Sequence, residues 1–299
     1  MKNLWRDVYD SPQSTDPWKN GIPDFALYLD VEPTNCCNFK CSFCVGQQQG
    51  KRPRGYMDLG LFTEVCRQAE LYGCKGVRFL RWGEPLLHPE IFKMIEIAKS
   101  RNLLVHMTTN GSKLNKECSE KLIKAGLDSI IVSFQGINKE EYLNLRGGDF
   151  DAIEKNVHIL VEMRNLKSSN NPYVSISTTI TDEPKDDVEE FKEKWSSIVD
   201  NVSIGYTWFK RLEDKSSVED YTSRAKKLPH IFKCQEVMVK LSIDWDGTVS
   251  PCCLDYDQQL AIGNIKTDDL MDLWGSKDVK AIRDLLTNKR QDMFALCQT

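Results

Sequence analysis

Three cysteines in one short segment, Cys37-Asn38-Phe39-Lys40-Cys41-Ser42-Phe43-Cys44, have the side chains and the spacing to bind a metal cluster. In C-x3-C-x2-C spacing, three thiolates from one loop can bind three irons of a cubane, which leaves the fourth iron open for a substrate or cofactor. A structural zinc site normally uses four protein ligands in paired C-x2-C spacing. The spacing therefore favours iron–sulfur over zinc, with Cys37 rather than Cys36 as the first ligand.

A second set of cysteines lies near the end of the chain, at Cys234, Cys252, Cys253 and Cys297. The whole sequence has 11 cysteines, an odd number, and its first residues lack the basic and apolar regions of a secretory leader. A disulfide scaffold is therefore disfavoured, and a reducing, cytoplasmic location with metal-binding thiols is expected.

Composition excludes several classes of function. The chain has 299 residues, with 40 Lys and Arg against 44 Asp and Glu, which gives a formal net charge of −4. No overall positive field favours nucleic acid or an anionic membrane surface, so neither is expected as a partner. No run of about 18 apolar residues occurs, so no membrane-spanning segment is expected.

The elements that must position the first cysteines follow an alternating pattern of short β-branched runs and longer amphipathic stretches. This pattern predicts six βα units around parallel strands. The predicted strands are Ala26–Val31, Gly76–Leu80, Leu103–Met107, Ser129–Ser133, Tyr173–Ile180 and Asn201–Tyr206. In such folds the chemistry lies at the carboxyl ends of the strands, and the Cys37–Cys44 segment follows the first strand.

With this placement, the cysteine triplet resembles the signature of the radical S-adenosylmethionine superfamily, and later motifs match in the same order. Trp82-Gly83-Glu84-Pro85 resembles the family's GGEP motif, and Thr108-Thr109-Asn110-Gly111 is similar to its TNG segment. Ser133-Phe134-Gln135-Gly136, followed by Arg146, resembles an S-x-D-G…R pattern in which Gln135 replaces the usual Asp. The resemblance covers roughly residues 26–205.

The resemblance implies a role for each matching residue. Cys37, Cys41 and Cys44 would bind a [4Fe-4S] cluster that cleaves S-adenosylmethionine. The implied contacts to S-adenosylmethionine are Gly83, Glu84 and Pro85 at its amino group, Thr109 and Asn110 beside its ribose and methionine, Ser133 and Arg146 at its carboxylate, and Phe43 near its adenine. A zwitterionic amino acid needs such opposite charges, which Glu84 and Arg146 supply.

The second cysteine set resembles the SPASM and twitch modules, C-terminal extensions of this superfamily that hold auxiliary [4Fe-4S] clusters. Cys234, Cys252 and Cys297 match the smaller twitch form, which has one auxiliary cluster. That form ends in a C-x2-C pair, whereas this sequence stops at Thr299. Three explanations stay open: the sequence is truncated, Cys253 substitutes as ligand, or a substrate or exogenous ligand takes the last iron.

The predicted fold class is α/β, a partial (β/α)6 TIM-like barrel with a small C-terminal module of a β-hairpin plus helices. Asp246-Gly247 predicts the turn of that hairpin. The predicted boundaries are an N-terminal extension at 1–25, the barrel at 26–206, a linker or lid at 207–233 and the auxiliary iron–sulfur module at 234–299.

The expected activity is that of a radical S-adenosylmethionine oxidoreductase that dehydrogenates an alcohol carbon of a small polar molecule, such as a sugar or cyclitol. A flavodoxin or ferredoxin would supply the electron. Two alternatives remain within the superfamily. One is maturation of a ribosomal peptide, and the other is epimerisation, with Cys253 as the catalytic hydrogen donor. A zinc-stabilised binding protein is the alternative from another class.

Overall fold

The computed structural model describes residues 2–209, 212–224 and 234–290, together with residues 293, 294 and 296. Its strands are β1 (Tyr28–Val31), β2 (Gly76–Phe79), β3 (Leu104–Thr109), β4 (Ser129–Ser133), β5 (Tyr173–Ile180), β6 (Asn201–Tyr206), β7 (Lys240–Ile243), β8 (Thr248–Ser250) and β9 (Gly263–Asn264). Its α-helices are α1 (Leu4–Tyr9), α2 (Pro12–Thr15), α3 (Pro17–Asn20), α4 (Val45–Gln48), α5 (Leu59–Leu71), α6 (Ile91–Ser100), α7 (Lys116–Ala125), α8 (Lys139–Arg146), α9 (Phe150–Leu166), α10 (Lys185–Ser196), α11 (Glu219–Arg224), α12 (Glu236–Val239), α13 (Leu270–Trp274) and α14 (Lys277–Thr287). Short 3-10 helices occupy Pro85–Leu87 and Ser216–Val218.

The described residues divide into two compact units. The first unit contains Cys37–Lys51 and the described part of 107–229. The second unit contains Asn3–Cys36, Arg52–His106 and the described part of 230–299. Strand β3 begins in the second unit and ends in the first.

In the second unit, β1 is a central strand because it pairs in parallel with β2 on one side and with β7 on the other. Strand β7 then turns back through Gly247 to pair antiparallel with β8, and β8 pairs with β9. Every residue of β1 is buried, including Asp30. The carboxyl ends of β1, β2 and β7 therefore lie side by side and bring their following loops together.

In the first unit, β4, β5 and β6 pair in parallel, with α8, α9 and α10 following the first two of these strands. An aromatic cluster forms much of its core, since Phe134 contacts Tyr142, Phe150 and Trp195 at ring-centroid distances of 5.1 to 5.9 Å. This core holds α8, and with it Arg146, against the end of β4.

The predicted fold class is confirmed: the chain is α/β, with the parallel strands of a partial barrel and a C-terminal hairpin followed by helices. Three of the six predicted strands have the observed bounds, two differ by one or two residues at one end, and the third strand differs at both ends. One segment differs in type: the sequence predicts that the first strand of the hairpin covers Val237–Ile243, whereas Val237–Val239 belongs to α12. None of the described helices is both long and hydrophobic enough to traverse a bilayer.

Candidate functional site

The loop of the first three cysteines lies in the first unit, between β1 and the short helix α4. Cys44 is the residue before α4, and its N–H donates to the Cys41 carbonyl at 3.1 Å. The Cys37 sulfur accepts a hydrogen bond from the Phe39 N–H at 3.4 Å. Ser42 N–H donates to the Leu145 carbonyl at 2.9 Å, which attaches the loop to α8. The three thiols are thus fixed by main-chain contacts.

Burial raises the pKa of the Cys41 and Cys44 thiols, and the nearby Arg146 guanidinium lowers both. The Cys37 thiolate also raises the pKa of Cys44, so these sulfurs lie close enough to interact electrostatically. Buried thiols of this kind favour a bound metal, because ligation replaces the proton with a cation. The donor set therefore fits a metal cluster.

The spacing of these sulfurs does not match a single zinc ion. Tetrahedral Zn–S bonds of ~2.3 Å place sulfurs on one ion about 3.8 Å apart. Among the described residues, the only three Cys, His, Asp or Glu side chains with ligand atoms all within 4.8 Å of one another are Glu141, Asp182 and Glu183. The Cys37, Cys41 and Cys44 sulfurs are therefore not all within 4.8 Å of one another, whereas three sulfurs on one tetrahedral zinc ion would be.

The TNG-like segment places Asn110 against the cysteine loop. The Asn110 side-chain amide donates to the Asn38 Oδ1 at 3.0 Å and lies 3.9 Å from the Cys37 sulfur. Thr109 ends β3, and its hydroxyl accepts from the Gly111 N–H at 3.1 Å. Asn110 is therefore joined to the loop that carries Cys37.

Arg146 ends α8 and lies over the Phe43 ring, with its guanidinium carbon 5.6 Å from the ring centroid. One of its terminal nitrogens donates to the Phe134 carbonyl at 3.4 Å. Its Nε is buried and has no hydrogen-bond partner among the described residues. A buried donor without a partner costs about 1–3 kcal/mol, so this nitrogen favours an anionic ligand such as a carboxylate. Ser133, half-buried, ends β4, the strand that leads towards Phe134.

The Gly-Glu-Pro motif lies in the second unit, directly after β2. Glu84 is 2% exposed, its N–H donates to the Cys36 carbonyl at 2.8 Å, and its carboxylate accepts from the Leu86 N–H at 3.1 Å. Pro85 begins the short 3-10 helix that follows. A β-carbon at Gly83 would lie 1.9 Å from the Thr34 carbonyl oxygen, so only glycine fits beside the Thr34–Cys36 segment.

We expect Gly83→Ala to destabilise the protein strongly, because the added methyl group meets main-chain atoms that cannot move aside cheaply. The melting temperature should fall by several degrees. Gly275→Ala is the matched control, since its β-carbon would make only an ordinary 3.5 Å contact. Equal melting temperatures for the two variants would contradict this account.

The second cysteine set lies in the second unit as far as the structure describes it. Burial, together with the charge of Cys253, raises the pKa of Cys252 to about 12 and that of Cys234 to about 11. The Leu254 N–H donates to the Cys252 sulfur at 3.4 Å, as Phe39 does to Cys37. The three thiols thus interact with one another, whereas Cys297 lies outside the described residues.

Two buried networks of charge were not predicted from the sequence. In one, Asp30 on β1 receives two hydrogen bonds from Arg78 at 2.7 and 2.9 Å and one from Lys240 at 2.6 Å. In the other, Glu32 after β1 pairs with Arg52 at 2.8 and 2.9 Å. The second network continues from Arg52 to Asp244 at 3.1 Å and from Asp244 to Arg81 at 2.8 Å. The only sequence signal was a charged residue within or just after each buried strand.

An acidic cluster in the first unit predicts a dependence of stability on pH. Burial and the neighbouring Glu183 raise the pKa of Glu141 to about 8, from an ordinary value of 4.5. The folded protein then binds more protons than the unfolded chain between these values, so stability falls as pH rises from about 5 to 8. We expect Glu141→Gln to flatten this slope in denaturation measured at pH 6, 7 and 8.

Glu117→Gln provides the control, because Glu117 is exposed and Lys121 lowers its pKa. The contribution of Glu117 to stability therefore changes with pH only below its ordinary pKa of 4.5, outside the tested range of pH 6 to 8. A slope that Glu117→Gln flattens as much as Glu141→Gln would contradict the role of the cluster.

Comparisons with known proteins agree with this geometry. The family model of the Radical SAM superfamily matches residues 31–194, and that of an iron–sulfur cluster-binding domain, SPASM, matches residues 234–299. The first match includes the three clustered cysteines, the Gly-Glu-Pro motif and Arg146. Chains of this type use [4Fe-4S] clusters and S-adenosylmethionine as cofactors, and the thiol sets described above fit them.

Curated relatives match only part of the chain. A tungsten-containing aldehyde ferredoxin oxidoreductase cofactor-modifying protein of Pyrococcus furiosus is 27% identical over 158 residues, 52% of this chain and 44% of the relative. The GTP 3′,8-cyclase of Chlorobaculum tepidum is 30% identical over 46% of this chain and 42% of the relative. The PqqA peptide cyclase of Gluconobacter oxydans is 30% identical over 40% and 33%. The matches thus span less than half the length of these relatives.

Solved structures match over most of the chain. BtrN in complex with AdoMet and 2-DOIA has a TM-score of 0.61 at 17% identity, covering 92% of both chains. Streptococcus suis SuiB bound to precursor peptide SuiA has a TM-score of 0.70 at 18% identity, covering 96% of this chain and 79% of SuiB. At such identities the likeness establishes the fold. The protein belongs to the radical S-adenosylmethionine superfamily and carries a C-terminal SPASM-type iron–sulfur cluster-binding domain.

Proposed function

We propose that this radical S-adenosylmethionine enzyme is an oxidoreductase that dehydrogenates an alcohol carbon of a small polar substrate, such as a sugar or cyclitol. The second cysteine set carries this proposal, because an auxiliary cluster at Cys234, Cys252 and Cys297 offers an acceptor for the electron that such an oxidation releases. A flavodoxin or ferredoxin would reduce the first cluster in the cytoplasm.

Cys37, Cys41 and Cys44 are the proposed ligands of the first cluster. When bound, that cluster and S-adenosylmethionine supply a 5′-deoxyadenosyl radical, which removes a hydrogen atom from the substrate. The protein's part is to hold the thiolates in place through the main-chain bonds of the loop and to keep the site dry. Asn110 supports the loop from one side through Asn38 and the Cys37 sulfur.

In the proposed contacts to S-adenosylmethionine, each charged group of the methionine part meets a side chain of opposite charge. The buried Glu84 carboxylate, with Gly83 and Pro85 shaping the turn, would accept from the methionine ammonium group. Arg146 would donate to the methionine carboxylate, helped by the Ser133 hydroxyl. Phe43 lies under the Arg146 guanidinium and limits its orientation, which leaves the unpartnered Nε as a donor to the ligand.

We expect Arg146→Met to weaken S-adenosylmethionine binding roughly tenfold to a hundredfold, because a charge-assisted hydrogen bond contributes about 1.5–3 kcal/mol. Methionine preserves the packing against Phe43 but removes the charge. Equilibrium binding of S-adenosylmethionine to the reconstituted protein measures the change, with iron content as the control. A variant that binds as tightly as the wild type would contradict the role of Arg146.

Peptide maturation is the second candidate, favoured by the similarity to the PqqA peptide cyclase and by the structural likeness to SuiB with its precursor peptide. Epimerisation is a third outcome, in which the half-buried Cys253 thiol returns a hydrogen atom to the substrate radical. Dehydrogenation removes two hydrogens from a sugar-like compound, maturation modifies a peptide, and epimerisation causes no loss of mass, so mass spectrometry of the substrates separates the three candidates.

The test uses the reconstituted full-length protein with reductant, S-adenosylmethionine and panels of sugars, cyclitols and ribosomal peptides. The proposal predicts 5′-deoxyadenosine formation coupled to loss of two hydrogens from a sugar-like compound. Coupling to a peptide alone would overturn it in favour of maturation. Deuterium uptake from solvent without mass loss, abolished by Cys253→Ala, would overturn it in favour of epimerisation.

A further inference from the structure

Arg81 has an unusual backbone conformation for its residue type. It follows β2 directly, its side chain is 1% exposed, and its φ is +89°. This region of φ favours glycine, because a β-carbon crowds the neighbouring carbonyl there. Such a conformation persists at a non-glycine residue only where the surroundings hold it in place. The contacts of the Arg81 side chain must therefore compensate for a backbone conformation that glycine would adopt more easily.

The contacts of that side chain lead to the loop of the second cysteine set. One terminal nitrogen of Arg81 donates to the Asp255 carbonyl at 2.8 Å, and the other to the Cys252 carbonyl at 3.5 Å. The neighbouring Trp82 indole N–H donates to the same Asp255 carbonyl at 3.3 Å. The guanidinium thus contacts both ends of the Cys252–Asp255 turn. It also forms an ion pair with Asp244, in which the Arg81 Nε lies 2.8 Å from the Asp244 Oδ1.

The same side chain places positive charge near these thiols. Burial disfavours the charged form of Arg81, but Asp244, other carboxylates and the Cys253 thiolate outweigh it and raise the pKa. The fully buried Lys240 also interacts with Cys253 and lowers the pKa of Cys252. Two buried cations therefore act on the segment that carries Cys252 and Cys253, where the low dielectric strengthens their effect.

We propose that Arg81 is a positioning residue for the auxiliary cluster: it holds the Cys252–Asp255 turn and raises the cluster's reduction potential. This inference rests on the proposed binding of a cluster at Cys234 and Cys252. The reduction potential of an iron–sulfur cluster depends on nearby charge and on hydrogen bonds around its ligands. A higher potential makes the cluster a better electron acceptor, as the proposed oxidation requires.

The test measures the auxiliary cluster alone, in full-length protein carrying Cys37→Ala, Cys41→Ala and Cys44→Ala, by iron content and by a redox titration followed by electron paramagnetic resonance at pH 8. If Arg81 alone is removed, the buried Asp244 carboxylate would take up a proton. The loss of one positive charge would then be offset by the loss of one negative charge. Asp244→Asn is therefore the reference, and Arg81→Gly and Arg81→Lys are added to it.

We expect Asp244→Asn to shift the midpoint potential upwards, because it leaves the Arg81 charge uncompensated. Adding Arg81→Gly should shift the potential back down or lose the auxiliary iron, whereas adding Arg81→Lys should keep the higher potential. The surface change Arg67→Gln should shift nothing. Equal potentials and equal iron with and without Arg81 would overturn the inference.

A second comparison applies if the Asp244→Asn protein does not fold. Arg81→Lys alone keeps the charge but cannot make both main-chain bonds, so a lower auxiliary iron content or an altered resonance spectrum is expected. An unchanged spectrum and iron content would overturn the inference. Failure of the underlying proposal is distinct: the starting protein, with Arg81 intact, would then hold no auxiliary iron.

Discussion

Replacing Cys37, Cys41 and Cys44 together with alanine will remove about four irons from each reconstituted chain and abolish 5′-deoxyadenosine formation. The proposed ligands of the first cluster all come from this one loop, so the triple variant lacks all three of them. The iron that remains reports the second cysteine set directly. Iron and sulfide analysis, with chromatography of the S-adenosylmethionine products, measures both effects.

Cys118→Ala is the matched control, because Cys118 is also a half-buried cysteine outside any disulfide but lies on α7, apart from both cysteine sets. It should keep the iron and the activity. A triple variant that still held a full complement of iron would contradict the assignment, as would a wild-type protein that bound stoichiometric zinc and remained colourless.

Replacing Asp30 with alanine will lower the free energy of unfolding by about 3–5 kcal/mol, since it leaves two buried cations without their shared carboxylate. Asp30 and Lys240 are both 0% exposed, and Arg78 donates two hydrogen bonds to Asp30. Burial raises the pKa of Asp30, but the charges and hydrogen bonds of Arg78 and Lys240 outweigh it and hold the pKa well below its ordinary value, so the carboxylate is ionised in the folded protein. Chemical denaturation followed by circular dichroism measures the loss.

Lys240→Met tests the same network from the other side. Asp30 then keeps both hydrogen bonds from Arg78, and the methionine side chain fills the same space, so the loss should be clearly smaller than for Asp30→Ala. Equal losses from the two variants would indicate that the size of the side chain, rather than its charge, determines stability at this position.

The sequence was sufficient to predict the strands and the position of the cysteine loop. Alternating apolar residues define β4, β5 and β6, and Asp246-Gly247 marks the hairpin, where Gly247 has a φ of +91°. The spacing of Cys37, Cys41 and Cys44 was informative because ligands from one loop are constrained locally. The contact of Asn110 with that loop also follows from the order of the strands.

Long-range pairing of charges could not be predicted in this way. Asp30 and Lys240 are 210 residues apart, and their ion pair depends on the parallel alignment of β1 with β7. Arg52 lies in a basic segment, Lys51-Arg52-Pro53-Arg54, yet its side chain is buried against Glu32 and Asp244. The segment Val237–Val239 suits a strand by composition, yet forms part of α12, whose side chains pack against Trp5 and Tyr28. Tertiary packing overrides local propensity at that point.

The parallel pairing of β1 with β7 also constrains when the protein can fold during synthesis. At translation rates of ~5–20 residues per second, roughly 10–40 s separate the appearance of Asp30 from that of Lys240. Throughout that interval β1 lacks its partner strand β7 on one edge. Asp30 has the Arg78 guanidinium as a partner but still lacks the Lys240 ammonium group. The sheet around β1 therefore completes its pairing only after Lys240–Ile243 has been synthesised.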